Sequence, residues 1–392
     1  MFSKFTSKLV IKDKEIKFSD TAEHVGIVRS SSGNLPHILD RVSAHRKALF
    51  AVLQAGLARR HNANQAASLK VQSTFALPVL LSGVASLTLN SAEFDVLDKH
   101  FKQTLRTLLK LPDRTPDPVI YFLAGTVPIK AHVHRRQLSI FGMISRLPDN
   151  ILYKLASKIL LTEPDSSKSW SVRIRVLCNQ YSLPLDLLLN PRSKNTFNKL
   201  VKSKITDYWE NSLRSEAASK TSLKYFKPVF MSLTAPHPMF LSCGTNPFKT
   251  NKSICQAALI SGRFKTDYLA RHWMKENPDG YCLLCSHLKL HDTVEHFLVF
   301  CCSLAQAREN VMKYWQSFSS EDDILRNLLA VKLGSPTQTL VQFLIDPSAD
   351  SDFIQGVQQK VIQSDDVFKL TRTWCYALQR LKLQLTGKFR KI

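Results

Sequence analysis

"SSSGNLPHILDRVSAHRKALFAVLQAGL", residues 30–57, is where the pattern of the chain changes. After "SSSGN", Leu35, Leu39, Val42, Leu49, Leu53 and Leu57 recur at steps of three, four or seven, which places them on one face of a helix ending near Gly56. Before it, "KLVI" and "IKF" flank the charged turn "KDKE", and "HVGIVRS" follows, so a hairpin and one more short strand are expected. A sheet this small needs partners.

Working outward, helical segments are expected at about 63–82, 91–110 and 128–147, the second with Ser91 as N-cap and Glu93 and Asp95 in its first turn. Pro112, Pro116 and Pro118 separate the last two. Residues 35–148 therefore read as a helical bundle. Residues 149–227 read as a basic helical connector, with nine Lys or Arg against three acids between Arg192 and Lys227. "TAPHPMFLSCGTNPF" then suggests an extended, proline-rich linker over 228–255. A cysteine- and histidine-rich module follows at 256–318, and C-terminal basic helices at 319–392, where Ser320 and Asp323 form an N-cap signature. The expected fold class is mainly α, with a small β element in 1–34.

The 392 residues hold 54 Lys and Arg against 31 Asp and Glu, a formal charge of +23 and a pI near 9.7. Such a balance favours polyanionic partners, RNA or DNA first. The longest apolar run, "FALPVLLSGVASLTL" (75–89), is too short to cross a bilayer, and the N-terminal stretch lacks the apolar block of a secretory signal. An intracellular place, nuclear or cytoplasmic, is therefore expected, without a membrane partner. In a reducing compartment structural disulfides are disfavoured, and clustered cysteines lean towards metal.

"GYCLLCSHLKLHDTVEHFLVFCC", residues 280–302, holds four of the chain's eight cysteines and three histidines. A C-x₂-C turn can present two thiolates to one Zn²⁺, and a His–x₄–Cys or His–x₄–His pair can complete a tetrahedron. Cys282, Cys285, His296 and Cys301 fit; so do Cys282, Cys285, His291 and His296, and Cys302 can compete for the fourth place. Four protein ligands leave no open position, so a zinc ion here would be structural. One difficulty stands: on a straight helix, residues five apart point about 140° away from each other. His296 and Cys301 would need that helix to tighten, bend or end.

Ahead of the turn, "SGRFKTDYLARHW" (261–273) interleaves Arg263, Lys265, Arg271 and His272 with Phe264, Tyr268 and Trp273. Basic side chains can neutralise phosphates while aromatic faces stack on bases; equally, Phe264, Tyr268 and Leu269 can be the core face of a helix. No GxxxxGK[ST], HExxH, GxSxG or GxGxxG motif occurs. The two Asp-Asp pairs, Asp322–Asp323 and Asp365–Asp366, read as helix-capping or surface acids, not as a pair holding catalytic metals.

"HILDRVSAHRKALFAVLQAGLARRHNANQAASLKVQSTFALPVLLSG" (37–83) and "FLAGTVPIKAHVHRRQLSIFGMISRL" (122–147) resemble the segment that follows the catalytic palm in reverse transcriptases of non-LTR, LINE-type retrotransposons. "SGRFKTDYLARHWMKENPDGYCLLC" (261–285) and "DTVEHFLVFCC" (292–302) resemble the C-terminal cysteine–histidine motif of the same polyproteins. The resemblance implies that 1–34 is the end of a palm, 35–148 a thumb that closes on a template–primer duplex, and 256–318 a zinc-knuckle-like module holding RNA or DNA. It selects Cys282, Cys285, His296 and Cys301 as the zinc ligands. It also makes "RVSAHRK", with Arg41, Arg46 and Lys47, and "HVHRR", with Arg135 and Arg136, candidates for phosphate contact. The family's polymerase signature, an aromatic and a small residue before two aspartates, is absent from this sequence. The expectation is a truncated member of the family, inactive as a polymerase alone, needing Mg²⁺ only beside a separate palm and fingers. The alternative is a zinc-containing helical scaffold for protein partners.

Overall fold

The computed structural model describes residues 9–11, 14–16, 20–52, 64–189, 193–244, 246–271, 277–318, 323–360 and 362–386. The chain is mainly α-helical, and among the described residues strands are confined to two short antiparallel hairpins. Leu9–Ile11 pairs with Lys14–Ile16, and Thr21–His24 with Ile27–Ser30. "HVGIVRS" is thus not one strand: Val25 and Gly26, at φ 49° and 74°, turn the chain within it. Leu53, Gly56, Leu57, His272, Trp273, Ser320 and Asp322 lie outside the described residues.

Two compact units emerge, one drawn from residues 1–49, 74–100 and 132–201, the other from 50–73, 101–131 and 202–392. In the first, Ile38, Leu80, Leu97, Leu138, Phe141 and Ile174 are fully buried. The helix Ser91–Leu109 is capped by Asn90, not by the expected Ser91. Asn90 Oδ1 accepts the Glu93 amide (2.9 Å), and Glu93 Oε2 accepts the Asn90 amide (2.9 Å). That reciprocal box needs a carboxylate three residues after the cap, a place that Phe94 would fill if Ser91 were the cap. His134 is buried beside Tyr181 and Arg173. Arg173 only donates, so His134 Nε2 accepts (3.3 Å), and Nδ1 carries the proton to Tyr181 Oη (2.7 Å).

The spine of the second unit is the helix Ser364–Leu385, whose Val367, Leu370, Trp374, Cys375 and Leu378 are buried. Trp315 donates to the Leu370 carbonyl (3.3 Å), while Gln256 reaches Thr371 (3.0 Å) and the Leu344 carbonyl (3.2 Å). The apolar stripe of this basic helix is therefore core. No helix among the described residues is long and apolar enough to cross a membrane.

The proline-rich stretch at 228–255 departs from the expected extended linker. It forms a 3₁₀ turn at Pro228–Phe230 and the helix Pro238–Leu241, and the helix Pro247–Ile260 starts within it. Pro228, Pro238 and Pro247 each open their element, where the fixed φ suits the helix and the missing N–H costs no bond. Met231, Leu233, Met239, Phe240 and Cys243 are buried, and the His237 amide donates to the Leu123 carbonyl (3.1 Å). The segment belongs to the core of its unit.

Candidate metal centre

Two turns bring the cysteine–histidine stretch together. Gly280, at φ 68°, and the Asn277 side chain, which accepts the Tyr281 amide (3.2 Å) and donates to its carbonyl (2.7 Å), start the first. A Cβ on Gly280 would lie 2.6 Å from the Tyr268 Cα, so the close approach as well as the dihedral calls for glycine. An antiparallel bridge between Tyr281 and His291 then closes the loop: the Cys282 amide donates to the Leu290 carbonyl (2.8 Å) and the Asp292 amide to the Gly280 carbonyl (3.0 Å).

The second turn answers the 140° difficulty. His296–Phe300 is a π-helical turn, in which the Cys301 amide donates to the His296 carbonyl (2.7 Å) across five residues. This wider winding brings position i+5 back towards position i, and Cys301, at φ −58° and ψ 113°, leaves the helix as it does so. Thr293 starts the segment, its Oγ1 accepting the His296 amide (3.2 Å). Asp292, just before it, is turned instead to a buried ion pair with Lys382.

The ligand atoms of Cys282, Cys285, His296 and Cys301 all lie within 4.8 Å of one another, and all four side chains are buried. Cys282 Sγ is 3.8 Å from Cys301 Sγ, and Cys285 Sγ is 3.2 Å from His296 Nε2. A tetrahedral ion with Zn–S bonds of about 2.3 Å separates two sulfurs by about 3.8 Å. The four residues can therefore hold a metal ion, and their spacing is compatible with zinc. His291 stands apart, exposed, with Nδ1 on the Asp279 carbonyl (3.0 Å) and its ring stacked on Tyr281. Cys302 is exposed.

As thiols alone, the three cysteines do not ionise alike. The hydrogen bond from Cys301 holds Cys282 down to about 3 in spite of its burial, whereas burial pushes Cys285 up to about 12. Cys301 is raised, first by its bond to Cys282 and then by burial. Three thiolates this close repel one another, and a divalent cation is what removes that cost.

The surrounding bonds fix both turns. Ser303 Oγ donates to the Leu284 carbonyl (2.8 Å), Arg308 to the Cys301 carbonyl (2.6 Å), and Trp374 Nε1 to the Leu298 carbonyl (3.2 Å). Glu295 accepts from both Lys224 and Tyr225. Phe297 packs on Phe264 with ring centroids 4.7 Å apart. Beneath them Lys382 meets buried Asp292 directly and Asp267 at 3.7 Å, and Asp292 Oδ2 also accepts the Asp267 amide (2.6 Å). Burial pushes the Asp292 carboxyl up against the opposing pull of Lys382. Sequence reasoning missed this pair, since nothing in "LHDTV" or "RLKLQ" announces a partner 90 residues away.

The basic candidates fall in both units. Phe264 is core, and Arg271 lies over the Tyr268 ring, 3.8 Å from its centroid, with His291 against its flank, so that ring is already engaged. Arg263 and Lys265 line a cavity of about 540 Å³ together with Asp267 and Lys382. Arg41 donates to Asp40 (2.9 Å), while Arg46 and Lys47 on the same helix are exposed. Arg135 is exposed; Arg136 is half-buried, with its guanidinium lowered by burial and then by Arg135. Comparison with protein-family models, with curated proteins and with solved structures finds no match for this chain.

Proposed function

We propose that this chain is a nucleic-acid-binding protein of the non-LTR reverse transcriptase kind, corresponding to the region after the catalytic palm, in which Cys282, Cys285, His296 and Cys301 hold a structural zinc ion. One observation carries the reading. The four residues that the resemblance selects are the four whose ligand atoms converge, while His291 and Cys302 stand apart. The formal charge of +23 supports RNA or DNA as the partner, inside the cell.

The zinc ion would tie the Gly280 turn to the π turn and so hold the segment from Arg263 to Arg271 in place. It leaves no site for water and does no chemistry itself. Asp365 and Asp366 stand in the first turn of a helix, where acids offset its dipole, and Asp323 pairs with Arg326 (2.9 Å). Polymerisation, with its Mg²⁺, therefore belongs to a separate palm in this reading.

Binding of RNA and of single-stranded DNA, followed by fluorescence anisotropy between about 50 and 200 mM salt, tests it. Counterion release predicts a loss of roughly 300-fold or more if six or more phosphates of a single strand are neutralised. Absent or salt-insensitive binding overturns the reading. Primer extension with Mg²⁺ and dNTPs is expected to give no product; extension would overturn the assignment of catalysis to another chain.

A second reading, a protein-interaction scaffold, has its own observation. On the helix Ile151–Thr162, Ile151, Leu152 and Leu155 are exposed and share an apolar face without cover among the described residues. Zinc retained without affinity for nucleic acid would favour it.

A further inference from the structure

Away from the cysteine–histidine site, the second unit contains a concavity of about 360 Å³ whose charged lining is entirely cationic among the described residues. Lys249 and Lys252 reach it from the helix Pro247–Ile260, Lys369 and Arg372 from the helix Ser364–Leu385. Each pair is three residues apart, and so lies on one helical face.

The partners of these cations are neutral. Lys252 Nζ donates to Thr373 Oγ1 (3.1 Å), and Lys369 Nζ sits over the Phe318 ring, 4.0 Å from its centroid. Arg372 is 1% exposed; its Nη1 donates to the Met239 carbonyl (3.1 Å), Ser242 Oγ (2.9 Å) and Cys243 Sγ (3.0 Å). Its Nε and Nη2 have no hydrogen-bond partner among the described residues. Burial lowers the Lys252 ammonium first, and Arg372 and Lys369 add to the shift, so the cations work against each other. Asp365 is the acid that acts on Arg372, and it does not line the concavity. An unmatched guanidinium in a low-dielectric setting is costly to keep, and an anion bound in the concavity would offset the mutual repulsion of the cations.

Two aromatic side chains stand at the same place. Phe248 is 78% exposed and Tyr314 is 37% exposed, and both line the concavity with the cations. Its volume falls in the range of small-ligand sites, about 300–1,000 Å³. Cations at the floor and exposed aromatic rings beside them are what a nucleotide unit needs, phosphate on the charges and base on a ring.

We infer that Lys249, Lys252, Lys369 and Arg372 form a phosphate-binding pocket that seats a phosphodiester of single-stranded nucleic acid, with the adjoining base against Phe248 or Tyr314. The identity of the ligand rests on the proposed function; the existence of an anion site does not.

The test uses the full chain with zinc bound, fluorescein-labelled dT12 and, separately, inorganic phosphate. Arg372→Gln removes the floor of the pocket, and Lys249→Ala/Lys369→Ala removes two half-buried cations should the first variant fail to fold; unchanged zinc content and melting temperature certify the variants. The expected result is about tenfold weaker dT12 binding in the variant, with the log–log salt slope reduced by roughly 0.7 for each phosphate that is no longer neutralised. Millimolar phosphate should raise the melting temperature of the wild type and not of the variant. Equal dT12 affinity and slope in both proteins overturns the pocket and leaves the proposed function standing. A phosphate-dependent rise that disappears in the variant, from a wild type that binds no dT12, supports the anion site and overturns the nucleic-acid reading. No effect of phosphate on the wild type, with equal dT12 binding, overturns the inference outright.

Discussion

The helix Ser364–Leu385 buries two cations, and they are treated in opposite ways. Lys382, under the cysteine–histidine site, is met by Asp267 and Asp292. Arg372, earlier on the same helix, is met by a carbonyl, a hydroxyl and a sulfur, with other cations beside it. A buried charge with its counter-charge supplied from within is a structural device, and one left to find its counter-charge outside is a receptor for it. The same contrast separates the metal centre, where four ligands close on one another, from the open basic concavity.

The largest test removes a ligand. Cys285→Ser or Cys301→Ser should lower zinc content from one per chain to near none and cost upwards of about 5 kcal/mol, since binding energy in structural zinc sites is folding energy; mass spectrometry and thermal melts read both. A variant that keeps its zinc would remove the closed half of the comparison. Next, Asp292→Ala should destabilise by about 3–5 kcal/mol in denaturant unfolding, because it leaves Lys382 buried against Asp267 alone. Lys382→Met should cost at least as much, since it leaves Asp292 and Asp267 buried without their cation.

Metal affinity should also depend on proton release. With Cys282 already a thiolate at about 3 while Cys285, pushed up to about 12, and Cys301 hold their protons, binding near neutrality releases two. Affinity should then rise with pH from 7 to 8, by up to about 100-fold if two protons leave. Competition against a chelator measures it, and a tenfold slope would mean a single proton.

Smaller effects sharpen the geometry. Gly280→Ala should cost about 2 kcal/mol more than Gly26→Ala in thermal unfolding: both glycines have positive φ, but a Cβ at Gly26 meets nothing within 4 Å. Finally, His291→Ala and Cys302→Ser should retain full zinc content and lie within about 0.5 kcal/mol of wild type, as exposed positions do. Zinc loss in either would reopen the ligand set.

Much of the fold was legible. The apolar steps from Leu35 mark a helix observed as Leu35–Val52, and the segments expected near 91–110 and 128–147 appear as Ser91–Leu109 and Ile129–Ile144. Misreadings came where one residue type serves two purposes. Proline breaks a helix from inside and starts one at its first turn, so Pro228, Pro238 and Pro247 looked like a linker. Tyr268 has the chemistry of a stacking platform, but Arg271 already lies over its face.

By itself the sequence determined a mainly helical chain, its strong positive charge and a metal-ligand set confined to 20 residues, because periodicity, composition and short spacings are local quantities. Only the tertiary structure decided that the stretch after His296 winds as a π turn, that Lys382 meets Asp292, and that Lys249 and Lys252 share a concavity with Lys369 and Arg372. Those pairings join residues some 90 to 120 positions apart, and local pattern does not specify which helix faces which.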